Sequence, residues 1–120
     1  MKLTEVTFSD AVPVDGYGPG FFRVAGQVLH GAVIVTSGRA MEWQGLSDPA
    51  PLLALEGEVD VIFLGMGKEI AHAPKDLRDA VEAANMGLEV MNSPAACRTY
   101  NMLVSEGRRV ALAALPVEAA

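Results

Sequence analysis

The chain has 120 residues, 51% of them hydrophobic and 6% aromatic, which is enough for one aliphatic core and too little for two. Nine Lys and Arg against 15 Asp and Glu leave a net charge of −6, which argues against a phosphate backbone or an anionic membrane surface as the main partner. The single cysteine, Cys97, excludes an internal disulfide or a cysteine-built zinc site, and the two histidines do not replace one. With no run of about 18 apolar residues, the expectation is a soluble cytoplasmic protein with no nucleic-acid partner, no integral membrane segment and no cofactor.

Residues 1–45 are rich in glycine and β-formers. Asp15-Gly16-Tyr17-Gly18-Pro19-Gly20 reads as an ordered loop whose tyrosine anchors in the core, because three glycines and a proline crowd six positions. Phe21 to Val24 and Gln27 to Leu29 then form a hairpin through Ala25-Gly26, and Ala32 to Thr36 and Ala40 to Trp43 a second one through Ser37-Gly38-Arg39. Met41 and Trp43 alternate with Glu42 and put a large apolar pair on one face, either core or interaction patch, with the core the ordinary outcome.

From residue 46 to residue 116 strands alternate with helices. Ser47 or Asp48 can cap a short helix through Leu52, Leu53 and Leu55, ended by Glu56-Gly57. Val59 to Leu64 is a strand covered on both faces. Pro74 opens a helix whose apolar positions are Leu77, Ala80, Val81 and Ala84, with Gly87 as its C-cap. Leu88 to Met91 is a strand; Ser93-Pro94 starts a helix with a side-chain cap and a proline in its first turn; Val110 to Leu115 is the last strand. The spacing predicts one α/β domain over 1–120: three layers, with N-terminal β-hairpins packed on a βαβαβ parallel core and flanking helices.

Two loops, Gly65-Met66-Gly67-Lys68 and Asn92-Ser93-Pro94, each follow a parallel strand and precede a helix. Ligands of open parallel sheets bind at such carboxyl ends. Gly65, Gly67, Lys68, Asn92, Ser93 and Arg98 therefore form a candidate crevice for an anion or small molecule, where helix N–H groups and two cations supply charge. Neither a dinucleotide fingerprint nor a phosphate loop is present, since the third glycine is missing and Lys68 is followed by Glu69.

Cys97 lies in a first helical turn, where the positive helix end lowers a thiol pKa, yet neither His30 nor His72 is tied to it, and a lone cysteine among alanines is the ordinary small buried hydrophobe. Glu56, Glu58 and Asp60 read as a solvated rim. Tyr100 enters the core while Asn101 tilts towards a neighbouring loop that its amide can pin.

Leu88-Glu89-Val90-Met91, Ala96-Cys97-Arg98-Thr99-Tyr100-Asn101 and Glu106-Gly107-Arg108-Arg109-Val110 carry a resemblance that runs from Tyr17-Gly18 and Phe22-Arg23-Val24 through Gly31 and Val33 to Leu115-Pro116. Gly65, Gly67, Pro74, Leu77, Gly87 and the run from Arg98 to Asn101 fit it closely. The chain resembles a small α/β family that includes a mitochondrial assembly factor of respiratory complex I and the adipogenesis-associated Mth-domain proteins, with many bacterial members. Two departures stand out: Asn92-Ser93 where that family often has Asp-Thr, and Met66 where it often has threonine. The resemblance implies a hairpin layer on a central sheet with helices, and no catalytic residues. It implies a non-catalytic protein-binding or assembly module serving a respiratory or other membrane complex. The alternative is a small-molecule or anion-binding protein or enzyme using the crevice.

Overall fold

In the computed structural model, which describes residues 4–119, hydrophobic alternation decides which strands lie inside. The elements in order are β1 (Glu5–Thr7), β2 (Val14–Gly18), β3 (Phe21–Val24), β4 (Gln27–His30), β5 (Ala32–Val35), β6 (Arg39–Trp43), α1 (Ala50–Leu53), β7 (Val61–Gly65), α2 (Lys75–Ala83), β8 (Gly87–Met91), α3 (Ser93–Ser105) and β9 (Val110–Ala114). Every residue of β5 and β9 is buried, as expected of central strands covered on both faces.

The expected α/β architecture is present, with a sheet order that the sequence alone does not reveal. Six strands run β1-β6-β5-β9-β7-β8. β7 pairs in parallel with β8 and β9, while β5 is antiparallel to both β9 and β6. The last strand in the chain thus sits at the centre and joins the parallel half to the antiparallel half. β2, β3 and β4 form a separate three-stranded antiparallel sheet. One predicted hairpin extends the main sheet and the other covers it.

Period-two alternation sorts the side chains into two cores. Ile34, Ile62, Leu64, Ala111 and Ala113 face α1 and α2, meeting Leu52, Leu55, Leu77 and Val81. Val33, Val35, Phe63, Val110 and Leu112 face the other way, against Ala96, Cys97, Tyr100 and Val104 of α3 and Phe22, Val24 and Leu29 of the small sheet. Trp43 belongs to the α1 and α2 side, 4% exposed, with its indole N–H donating to the Asp48 carbonyl at 2.8 Å. Met41 packs beside it.

Several local expectations are corrected. Residues 14–18 are a strand, with a bulge at Asp15. Its glycine-rich stretch is usable because the Phe21 ring lies over Gly18, where an added Cβ would come within 2.4 Å of it. Tyr17 is 44% exposed and leans on Phe22 with ring centroids 6.2 Å apart, so it is no core anchor. β1 carries too little apolar pattern to be read in advance. Neither Ser47 nor Asp48 caps α1: its N-cap position is Pro49, without a side-chain bond. Gly87 does not cap α2 but begins β8. The left-handed residue is Asn85 (φ 65°), followed by a Met86 N–H bond to the Val81 carbonyl at 3.2 Å, a Schellman closure in which asparagine stands in for glycine.

Candidate functional site

The carboxyl ends of β7, β8 and β9 do meet, bringing Gly65, Gly67, Asn92 and Ser93 together as the parallel order requires. What joins them is a set of internal hydrogen bonds. The Met66 N–H donates to Met91 O at 2.9 Å, the Leu115 N–H to Gly65 O at 2.9 Å and the Ser93 N–H to Gly67 O at 2.7 Å. The Ser93 hydroxyl accepts from the Gly67 N–H at 2.9 Å and donates to Leu115 O at 2.6 Å. Ser93 is fully buried. Gly65 leaves it room: a Cβ there would stand 2.7 Å from both the Cα and the hydroxyl of Ser93.

Ser93 is therefore not the cap of α3 but its first residue. Asn92 caps, its side-chain oxygen accepting from the Ala95 N–H at 2.8 Å while its carbonyl accepts from the Ala96 N–H at 2.9 Å. With the Ser93 N–H held by Gly67, no N–H on Pro94 and the Ala95 N–H held by Asn92, the first three residues of α3 have no free donor. A helix N-terminus attracts anions through unsatisfied donors, and Ser93, Pro94 and Ala95 offer none. Lys68 and Arg98 are both exposed. Arg98 borders a shallow groove with Tyr17, Asp15, Pro94 and Asn101, away from the Ser93 bonds. Leu115 and Pro116, which close the corner, were not among the residues nominated from sequence; the strand end at Leu115 beside two other strand ends was the available signal.

On the inner face of α3, Cys97 is 4% exposed and burial pushes its thiol up to about 11, with the nearby Arg98 charge opposing only in part. The thiol is raised and not lowered because desolvation of the thiolate dominates, which fits the small buried hydrophobe. Tyr100 is fully buried, its hydroxyl has no hydrogen-bond partner among the described residues, and burial raises its pKa. Asn101 holds β2: its Oδ1 accepts from the Val14 N–H at 2.8 Å and its Nδ2 donates to the Val14 carbonyl at 3.0 Å. One side chain thereby completes a strand's backbone bonding across 87 residues of sequence.

At the amino ends of the parallel strands two carboxylates of the acidic rim, Glu58 and Asp60, are ion-paired. Glu58 takes both Arg39 nitrogens, at 2.7 and 3.1 Å, and Asp60 lies 3.5 Å from Arg109. Among the described residues no cluster of three His, Cys, Asp or Glu could hold a metal ion, and no helix is long and apolar enough to cross a membrane.

A family model described as a protein of unknown function (DUF498/DUF598) matches residues 14–115. The chain is 49% identical over 120 residues to an uncharacterized protein of Rhodobacter capsulatus, covering 100% of this chain and 97% of that protein. It is 24% identical over 123 residues to NADH dehydrogenase (ubiquinone) 1 alpha subcomplex assembly factor 3 of Mus musculus, covering 97% of this chain but only 66% of that longer protein. The solution structure of a Mth938-like domain from Bordetella pertussis superposes with a TM-score of 0.76 at 24% identity, covering 100% of this chain and 95% of that one, a likeness of fold. The chain belongs to the DUF498/DUF598 family.

Proposed function

We propose that this protein is a non-catalytic protein-binding module that assists assembly of a respiratory or other membrane complex, working from the cytoplasm. The observation that carries this reading is the similarity to a complex I assembly factor along 97% of the chain. The internal bonding of the strand-end corner supports it from the other side. A small anion or metabolite there would have to displace the Ser93 hydroxyl from Gly67 and Leu115, exchanging satisfied buried bonds for new ones with little net gain.

Affinity purification of the tagged full chain, with quantitative comparison to an untagged strain, tests the proposal. Reproducible recovery of a subunit or assembly factor of a membrane complex is the expected result; no specific partner under mild detergent would sink it. A thermal-shift screen against nucleotides, flavins, phosphates and organic acids tests the crevice alternative, because a ligand of the folded form must raise the apparent stability. A saturable shift abolished by Lys68→Ala or Arg98→Ala would favour that alternative.

A further inference from the structure

The main sheet ends on β8, and among the described residues no further strand pairs with its outer edge. The Gly87 N–H donates to Asp60 O at 2.8 Å, and the Met91 carbonyl accepts from Met66 at 2.9 Å. Backbone groups alternate sides along a strand, so Gly87, Glu89 and Met91 bond inward to β7 while Leu88 and Val90 present theirs outward. Arg78 of α2 reaches the edge and donates to the Leu88 carbonyl at 3.2 Å. Beside Val90 lies a cavity of about 280 Å³ lined by Ile70, Ala71, His72, Ala73 and Arg78. Ile70, 68% exposed, forms its apolar rim.

Edge strands invite a further strand, and charge on the edge decides which one. The antiparallel register that uses Leu88 and Val90 of two copies of this chain bonds Leu88 to Val90 of the other copy twice and sets Glu89 directly against its own counterpart. Like charges directly opposite repel, so Glu89 opposes self-pairing. We infer that the β8 edge is a docking site for an extended segment of a different protein, one that adds a strand against Leu88 and Val90. That segment carries a basic side chain opposite Glu89 on one face and an aliphatic side chain towards the Ile70 cavity on the other. The inference rests on the protein-binding reading above and locates its surface. The incoming strand's N–H takes the place of Arg78 at the Leu88 carbonyl.

The test uses the ¹⁵N-labelled full chain and two synthetic heptapeptides of alternating valine and threonine, one with lysine at the central polar position and one with glutamate there. The lysine peptide is expected to shift the Leu88 and Val90 amide resonances and slow their hydrogen exchange, binding about tenfold more tightly than the glutamate peptide. Glu89→Lys should reverse that order. Absence of any effect at these two amides, or equal binding of the two peptides, would overturn the inference. Val90→Pro removes an outward N–H at an edge position, where proline is tolerated, together with some of the packing of Val90 on the α1 and α2 core. If that variant keeps its melting temperature and still co-purifies with the wild-type partner, the edge is wrong and the assembly reading survives; if the wild type itself has no partner, the assembly reading fails whatever the peptides do.

Discussion

Two buried hydroxyls on α3, Ser93 and Tyr100, are equally inaccessible and opposite in bonding. Ser93 joins Gly67 and Leu115 with two hydrogen bonds and holds three strand ends together. Tyr100 fills the core between the main sheet, the small sheet and α3, and its hydroxyl bonds to no other described residue. At Ser93 the polar atom is the reason for the residue; at Tyr100 the ring is. The difference separates burial that depends on hydrogen bonds from burial that depends on volume, and each can be tested by removing the other ingredient.

Tyr100→Ala empties the largest fully buried side chain and should lower stability by about 3–5 kcal/mol, read from urea unfolding. A loss under 1 kcal/mol would mean that the ring is not the packing element. Ser93→Ala strips partners from the buried Gly67 N–H and the partly buried Leu115 carbonyl and should cost about 2–4 kcal/mol, with faster hydrogen exchange at Gly67. Asn101→Ala frees the Val14 backbone at a partly buried site. It should cost about 1–2 kcal/mol, with chemical-shift changes concentrated in β2 and its neighbours. Tyr100→Phe is the smallest change and the sharpest: loss of an unpartnered buried hydroxyl should be neutral or stabilising by up to ~1 kcal/mol.

Alkaline titration sharpens the same contrast. Burial raises the folded-state pKa of Cys97 from its ordinary 9.0 to about 11, and raises that of Tyr100 as well. A group whose folded pKa is raised stabilises fully below its unfolded pKa and loses that contribution as pH rises through the interval. Stability should therefore hold to about pH 9 and fall above it, with Cys97→Ala flattening the first part of the decline and Tyr100→Phe the part beyond about pH 10. Unchanged alkaline profiles in both variants would place the decline elsewhere.

Much of this was legible in the sequence, for identifiable reasons. The β7, β8 and β9 runs are apolar enough to be strands of any parallel sheet, and Ala25-Gly26 demands a turn, which both residues take with positive φ. β2 was hidden because its glycines mimic a loop, while what makes it a strand lies far off: the Phe21 ring across Gly18 and the Asn101 amide on Val14. Asn92 and Ser93 are both cap-forming residue types, and the proline at 94 drew the cap to Ser93 in the sequence, where the structure gives it to Asn92. Only the approach of Leu115 makes Ser93 the tie and Asn92 the cap. The grouping of Gly65, Gly67, Asn92 and Ser93 followed from strand order, but whether their donors face outward or one another depends on that same late segment.

The central position of β9 has a consequence for synthesis. While residues 110–114 are still on the ribosome, β5 and β7, whose partner strand has not emerged, expose apolar edges that no earlier part of the chain covers. Unpaired edges of this kind invite aggregation. The nascent chain therefore cannot complete its main sheet from the N-terminus onward. The sheet closes only when β9 slides between two waiting halves, and chaperone dependence should be greatest until residues 110–114 have left the ribosome.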